Sequence, residues 1–111
     1  MRTTMNRNKR KIVSELSFRL KEEFPGYILN VILFGSQNTG KAEKDSDYDI
    51  LIIVKEKADW RTERVISDIC YGIELKYSIL TDTHIISEAE LSTLRGKQPI
   101  FVNALTSGLY A

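Results

Sequence analysis

Two aspartates spaced two apart, Asp47 and Asp49, stand at the head of one apolar run, and Gly35-Ser36 closes the run before it. Side chains two apart on a strand leave from one face, so these carboxylates would sit about 6–7 Å apart along the backbone. Like charges that close repel unless a cation lies between them. A divalent ion such as Mg²⁺ takes hard oxygen ligands of this kind, completed by water and substrate phosphates. A Gly-Ser turn just beyond a strand exposes backbone amides to an anion, and the Ser36 hydroxyl can add a donor. Alone, a Gly-Ser pair is an ordinary turn and an Asp-x-Asp pair a solvated strand start. Joined by one loop, each attached to an apolar strand, they point to phosphate and metal.

The elements that must position these residues follow from hydrophobic period. From about Lys9 to Phe24, Ile12, Val13, Leu16, Leu20 and Phe24 recur three or four apart, one stripe of a helix that Pro25-Gly26 stops. Residues 1–8 read as a polar lead-in, flexible ahead of the domain. Tyr27–Phe34 and Tyr48–Val54 are nearly continuous apolar runs, as strands covered on both sides are. The polar loop between them, residues 35–47, is long for so small a domain, and loops of that length are often functional. Asp59 caps a helix carrying Trp60, Ile66, Ile69, Ile73 and Tyr77 at helical spacing. A third strand follows at about Ile79 to Ile86. Ser87-Glu88-Ala89-Glu90 matches a capping box, opening a short helix anchored by Leu91 and Leu94. Pro99 starts a last helix, with Phe101, Val102, Leu105 and Leu109 as its packing residues and Gly108 near its end. Three strands with helices between and around them predict an α+β fold: a small mixed sheet covered mainly on one side by helices.

At 111 residues the chain is expected to form one domain, 1–111, with no internal repeat or linker. Sixteen Lys+Arg against fifteen Asp+Glu leave a net charge of +1, which removes any chain-wide electrostatic case for nucleic acid as a direct partner. One cysteine excludes an internal disulfide and a cysteine-built metal site, and suits a reducing compartment. No apolar stretch reaches the roughly 18–20 residues of a membrane helix, and residues 1–11 lack a signal-peptide core. No membrane is expected as a partner, and a cytoplasmic location is the reading.

Gly35-Ser36, Gly40 and Ser46-Asp47-Tyr48-Asp49-Ile50-Leu51, with their flanking apolar strands, resemble the signature of the nucleotidyltransferase superfamily related to DNA polymerase beta, especially its minimal bacterial members. The resemblance runs on through the following helix and third strand to the tail Gln98-Pro99-Ile100-Phe101, Asn103 and Gly108. It implies that Gly35 and Ser36 contact the phosphates of a nucleoside triphosphate, ATP above all. Asp47 and Asp49 would be the first two metal-binding, catalytic carboxylates, for Mg²⁺ or Mn²⁺. A third acid completes such sites, and two positions compete for it. Asp82, in ILTDTHII, lies on the third strand and is preferred; Glu74, in GIELKY, fits the preceding helix beside its apolar stripe. The implied reaction is in-line transfer of AMP to an acceptor hydroxyl, with two metal ions at the attacking and departing oxygens. Lys41 and Lys44 would steer the triphosphate or simply stay solvated.

Simpler roles stand beside these. His84 shares a strand face with Asp82, yet a lone strand histidine is usually a packed side chain. Cys70 reads as a small hydrophobe among helical apolar residues. Trp60, Tyr71 and Tyr77 serve as core or partner contacts before they serve as base-stacking platforms, and Arg95, Lys97 and Gln98 touch substrate or stay wet.

No second domain to grip an acceptor is expected, so the acceptor would be met by a partner protein, by a second copy or not at all, which leaves a homo-oligomer open. Minimal members of the family resemble antitoxins paired with a small all-helical toxin. Two functions of different class follow. One is an adenylyltransferase acting on a small helical partner protein; the other is an antitoxin-like binding module, with a vestigial nucleotide site, that silences the partner by association. Transfer to a small molecule fits less well, because no extra domain holds one.

Overall fold

Ile12, Val13, Leu16 and Leu20 are all buried along one stripe, and that stripe is the inner face of helix α1, Arg2–Glu23. The computed structural model describes residues 2–35, 47–93 and 97–111, with side chains from Lys9 onward. The helix begins at Arg2 instead of near Lys9, so it takes in residues 2–8 of the stretch read as a lead-in. A polar run has no apolar period to announce it, but a helix once formed propagates through it.

Gly26, at φ +74°, turns the chain into strand β1, Ile28–Phe34. Strand β2, Tyr48–Val54, pairs antiparallel with β1, placing Phe34 opposite Asp49. Helix α2, Trp60–Tyr77, opens where the Asp59 carboxylate accepts from the Thr62 amide at 2.8 Å. It carries the chain back to strand β3, Thr81–Ser87, which pairs parallel with β2. The expected capping box is formed: the Glu90 amide donates to Ser87 Oγ at 3.3 Å, and the Ser87 amide donates to the Glu90 carboxylate at 3.0 Å. What it opens is one 3₁₀ turn, Ala89–Ser92. Leu94 and Gly96, expected in that helix, lie outside the described residues, as does Arg95.

Helix α3, Pro99–Ser107, is shorter than expected, and Leu109 leaves it for a two-residue strand β4, Leu109–Tyr110. The sheet therefore has four strands among the described residues, not three, in the order β3-β2-β1-β4. Gly108 permits this: a Cβ there would collide with Ile32 Cγ2 and the Ala104 carbonyl, so only a bare Cα lets the chain fold back onto β1. Phe101 and Ala104 are the residues that α3 buries, while Val102, expected to pack, is exposed.

The sheet is mixed and open, with its long helices on one side, an α+β fold. Val31, Leu33, Tyr48, Ile50, Ile52 and Val54 turn toward α1 and α2, where they meet Leu16, Leu20, Ile66 and Ile73. Ile32, Phe34, Leu51, Ile53 and Ile86 turn the other way, toward Phe101 and Ala104 of α3. The near-continuous apolar strands have this cause: each alternate residue has a layer to enter. No helix among the described residues is long and apolar enough to cross a membrane.

One polar cluster ties α1 to α2. Glu15 accepts from the Tyr77 hydroxyl, from Lys76 at 2.9 Å and from Arg19 at 2.6 Å. The Tyr77 hydrogen bond first, then Lys76, lower its pKa from 4.5 to about 2. A carboxyl whose folded pKa is depressed adds stability above its unfolded value and loses it as pH falls through the folded one. Glu15→Gln is therefore expected to melt below the wild type at neutral pH, with the gap closing between about pH 4.5 and pH 2. Thermal melts of both proteins across that window check this; a constant gap would assign the loss to packing instead.

Candidate functional site

Strand pairing brings acids together that lie far apart in sequence. Asp49 of β2 has Asp82 of β3 as its paired residue in the parallel register, at the inter-strand spacing of about 4.8 Å. Asp49 alternates with Leu51 and Ile53, and Asp82 with His84 and Ile86, so both leave the sheet on the α3 side. Asp47, one residue before β2, is exposed, Asp49 is half-buried, and the Asp82 carboxylate is largely in solvent. Burial pushes the Asp49 carboxyl above the usual range, the charges of Asp82 and Asp47 push it the same way, and His84 opposes them. Among the described residues, no Lys or Arg forms an ion pair with any of the three.

Gly35 closes the other side. It follows β1 with φ +76°, and a Cβ built on it would strike Asp49 Oδ2. The glycine serves the site twice, by adopting a left-handed turn and by leaving room for the carboxylate. Ser36, the expected phosphate contact, lies outside the described residues, together with Gly40, Lys41 and Lys44.

Glu74, the competing third acid, sits elsewhere. Its Oε2 accepts from the Thr81 amide at 2.6 Å and from the Thr81 hydroxyl at 2.9 Å. It fastens α2 to the start of β3, on the side of the strand opposite Asp82. Cys70 is buried in the α2 face of the core, with the Thr83 hydroxyl donating to its Sγ at 3.6 Å. Tyr77 packs against that core, whereas Trp60 and Tyr71 are exposed and contribute nothing to it.

The donor set suits a hard divalent cation only in part. Among the described residues, no group of three or more His, Cys, Asp or Glu side chains is placed to hold a metal ion. Mg²⁺ commonly takes one or two carboxylates and completes its shell with water and substrate phosphates, so a site of two acids lies within its chemistry. Asp49 and Asp82, with no Lys or Arg ion pair among the described residues and a mutual repulsion to relieve, are the pair that fits.

The model of the nucleotidyltransferase domain family matches residues 10–103. This chain belongs to that family. Three proteins of Methanocaldococcus jannaschii, each named "Putative protein adenylyltransferase", are similar to this nucleotidyltransferase domain. One is 33% identical over 73% of the chain and 76% of its own length. The second is 31% identical over 86% of the chain and 65% of its own length, and the third 44% identical over 45% and 50%. The chain thus spans less than two thirds of the latter two. Among solved structures, a toxin–antitoxin crystallised with AMP-PNP superposes with a TM-score of 0.55 at 17% identity, covering 86% of this chain and 69% of that one. A mutant of the toxin–antitoxin pair MntA–HpeT gives 0.53 at 15% identity, over 84% and 67%. At such identities the likeness is one of fold. The nucleotidyltransferase domain here is of the DNA polymerase beta type, structurally similar to those toxin–antitoxin proteins.

Two features of the site escaped the sequence reading. The contact between Gly35 and Asp49 depends on the β1–β2 register, which the motif does not encode locally. The buried Nε2 of His84, without a hydrogen-bond partner, depends on three strands and α3; the alternation Asp82, His84 signalled a shared face and nothing more.

Proposed function

We propose that the acidic end of the sheet binds a nucleoside triphosphate, ATP with Mg²⁺ or Mn²⁺, and that the chain acts in the cytoplasm on a small helical partner protein, as an antitoxin does. The observation that carries this is the register of Asp49 against Asp82, with Gly35 held open beside them. Asp49 and Asp82 would supply oxygens to the cation, Asp47 would lie at the mouth, and Gly35 with Ser36 would receive the phosphates. The cation, when bound, supplies charge that offsets both the carboxylates and the triphosphate.

Silencing by association has the broader support. The fold is that of toxin–antitoxin proteins, and α2 presents Tyr71 and Leu75 outward one turn apart, with Leu80 following, all exposed. Large apolar side chains grouped on one helix face are suited to a protein partner. In this reading the nucleotide site is vestigial as a catalyst. Transfer is the second reading, favoured by the alignment of Asp82 with Asp49 and by relatives named as protein adenylyltransferases. The acceptor oxygen would bond to the α-phosphorus as the bond to pyrophosphate breaks, and the carboxylates would be the groups nearest the hydroxyl proton.

One experiment separates them: the chain is purified with a candidate small helical partner protein and given labelled ATP. Association alone leaves a stable complex and an unlabelled partner. The complex survives Asp49→Asn and is lost, about 100-fold in affinity, in a Tyr71→Glu/Leu75→Glu double variant, as removal of two buried anchors implies. Transfer labels the partner, and Asp82→Asn removes the label with little change in nucleotide affinity, since an acid acting on the nucleophile matters most in the transition state. Neither complex nor label would overturn both.

A further inference from the structure

We propose that His84 is a positioning residue, whose Nε2–H holds the Asp82 carboxylate toward Asp49. The proposal rests on the reading of the acidic end as a nucleotide site, and extends it to a residue that the motif does not contain.

The geometry begins with β3. Asp82 and His84 are two apart on one face, opposite Asp49 and Leu51 of β2. The imidazole is held on two sides by aromatic rings: Phe34 of β1 lies 6.0 Å away between centroids, and Phe101 of α3 meets it edge-on at 6.4 Å. So held, the ring has little freedom about χ2. Its Nε2 is buried from solvent and has no hydrogen-bond partner, although the side chain as a whole is 27% exposed. Asp82 Oδ2 lies 3.6 Å from that nitrogen. This is about half an ångström beyond a hydrogen bond, a gap that a small rotation of an exposed carboxylate closes.

The asymmetry between the two side chains gives the pair its direction. His84 is fixed by packing, whereas the Asp82 side chain is 56% exposed and free to turn. A mobile carboxylate must be ordered before it can share a cation with Asp49, and a donor on a rigid neighbour orders it in advance. A buried ring N–H left without an acceptor is disfavoured, so the contact satisfies both partners. An aromatic filler would pack as well between Phe34 and Phe101 and do none of this.

His84 is the single histidine in the chain, which makes the test direct. Long-range ¹H–¹⁵N spectra of the nucleotide-free protein at pH 8 report its tautomer. The proposal expects the Nε2–H form, with an Nε2 resonance that moves in Asp82→Ala and stays in Asp47→Ala. Affinity for Mg²⁺ with AMP-PNP is then compared across variants whose melting temperatures match the wild type. His84→Gln carries an amide nitrogen where Nε2 stood and is expected to stay within about 3-fold of the wild type. His84→Leu is expected to lose about 10-fold or more, as loss of an orienting partner does. A protonated Nδ1, an Nε2 resonance indifferent to Asp82→Ala, or equal affinities for the Leu and Gln variants would each overturn the proposal. Failure of the wild type to bind the analogue would overturn the nucleotide site itself; the spectrum, recorded without nucleotide, tells the two failures apart.

Discussion

Gly35→Ala should lower both stability and nucleotide binding, and for two separable reasons. The backbone at Gly35 has φ +76°, and an L-residue held in the left-handed region costs about 1–2 kcal/mol. For a domain of this size that alone lowers the melting temperature by about 4–15 °C. The second reason is local: the new methyl would strike Asp49 Oδ2 and lie 3.2 Å from its Cγ. The Asp49 carboxylate must then leave the position it holds beside Gly35, and binding of Mg²⁺ with AMP-PNP should fall at least 10-fold. A double-mutant cycle isolates this part. In an Asp49→Ala background the side-chain collision is gone, so Gly35→Ala should cost only its backbone share. Additive costs would show that Gly35 and Asp49 do not meet.

Asp49→Asn should move stability the other way. The Asp49 carboxyl is held above its usual range by burial first and by the charges of Asp82 and Asp47 next. An acid whose folded pKa is raised favours the folded state below its unfolded pKa, near 3.8, and loses that advantage as pH rises through the folded value. At neutral pH the ionised carboxylate therefore weakens the cation-free protein, and a neutral isostere removes the penalty. The Asn variant should melt above the wild type at pH 7, with the difference shrinking as pH falls toward 3.8. A variant that melts lower at pH 7 would mean that Asp49 is held by favourable contacts. A gain in stability on removing a site residue is the mark of a group kept for function.

Much of this arrangement was legible from local pattern. The apolar stripe of α1, the two continuous strands, the Asp59 cap and the Ser87–Glu90 capping box each follow from residues within a few positions of one another. What was not legible depends on distant partners. Strand β4 has two residues, too few to alternate, and it forms because Gly108 lets the chain approach Ile32. The same glycine reads, in sequence, as a plain helix end. Glu74 and Asp82 are both acids near the third strand, and only the parallel β2–β3 register sets Asp82 across from Asp49 while the Thr81 amide and hydroxyl engage Glu74. Trp60 and Tyr71 fit a helical stripe by type, yet α2 is wide enough for two stripes, and theirs faces outward. In each case the placement depends on a contact between residues far apart in sequence.

On the proposed reading Gly35, Asp49 and Asp82 form a nucleotide site, whichever way the partner is silenced. Calorimetric titration of AMP-PNP into the wild type and into Asp49→Asn, each with and without Mg²⁺, tests it most directly. Binding to the wild type is expected to depend on the cation and to fall, by 10-fold or more, in a variant that is nonetheless the more stable of the two at neutral pH. Equal affinity in both proteins, or binding indifferent to Mg²⁺, would contradict it.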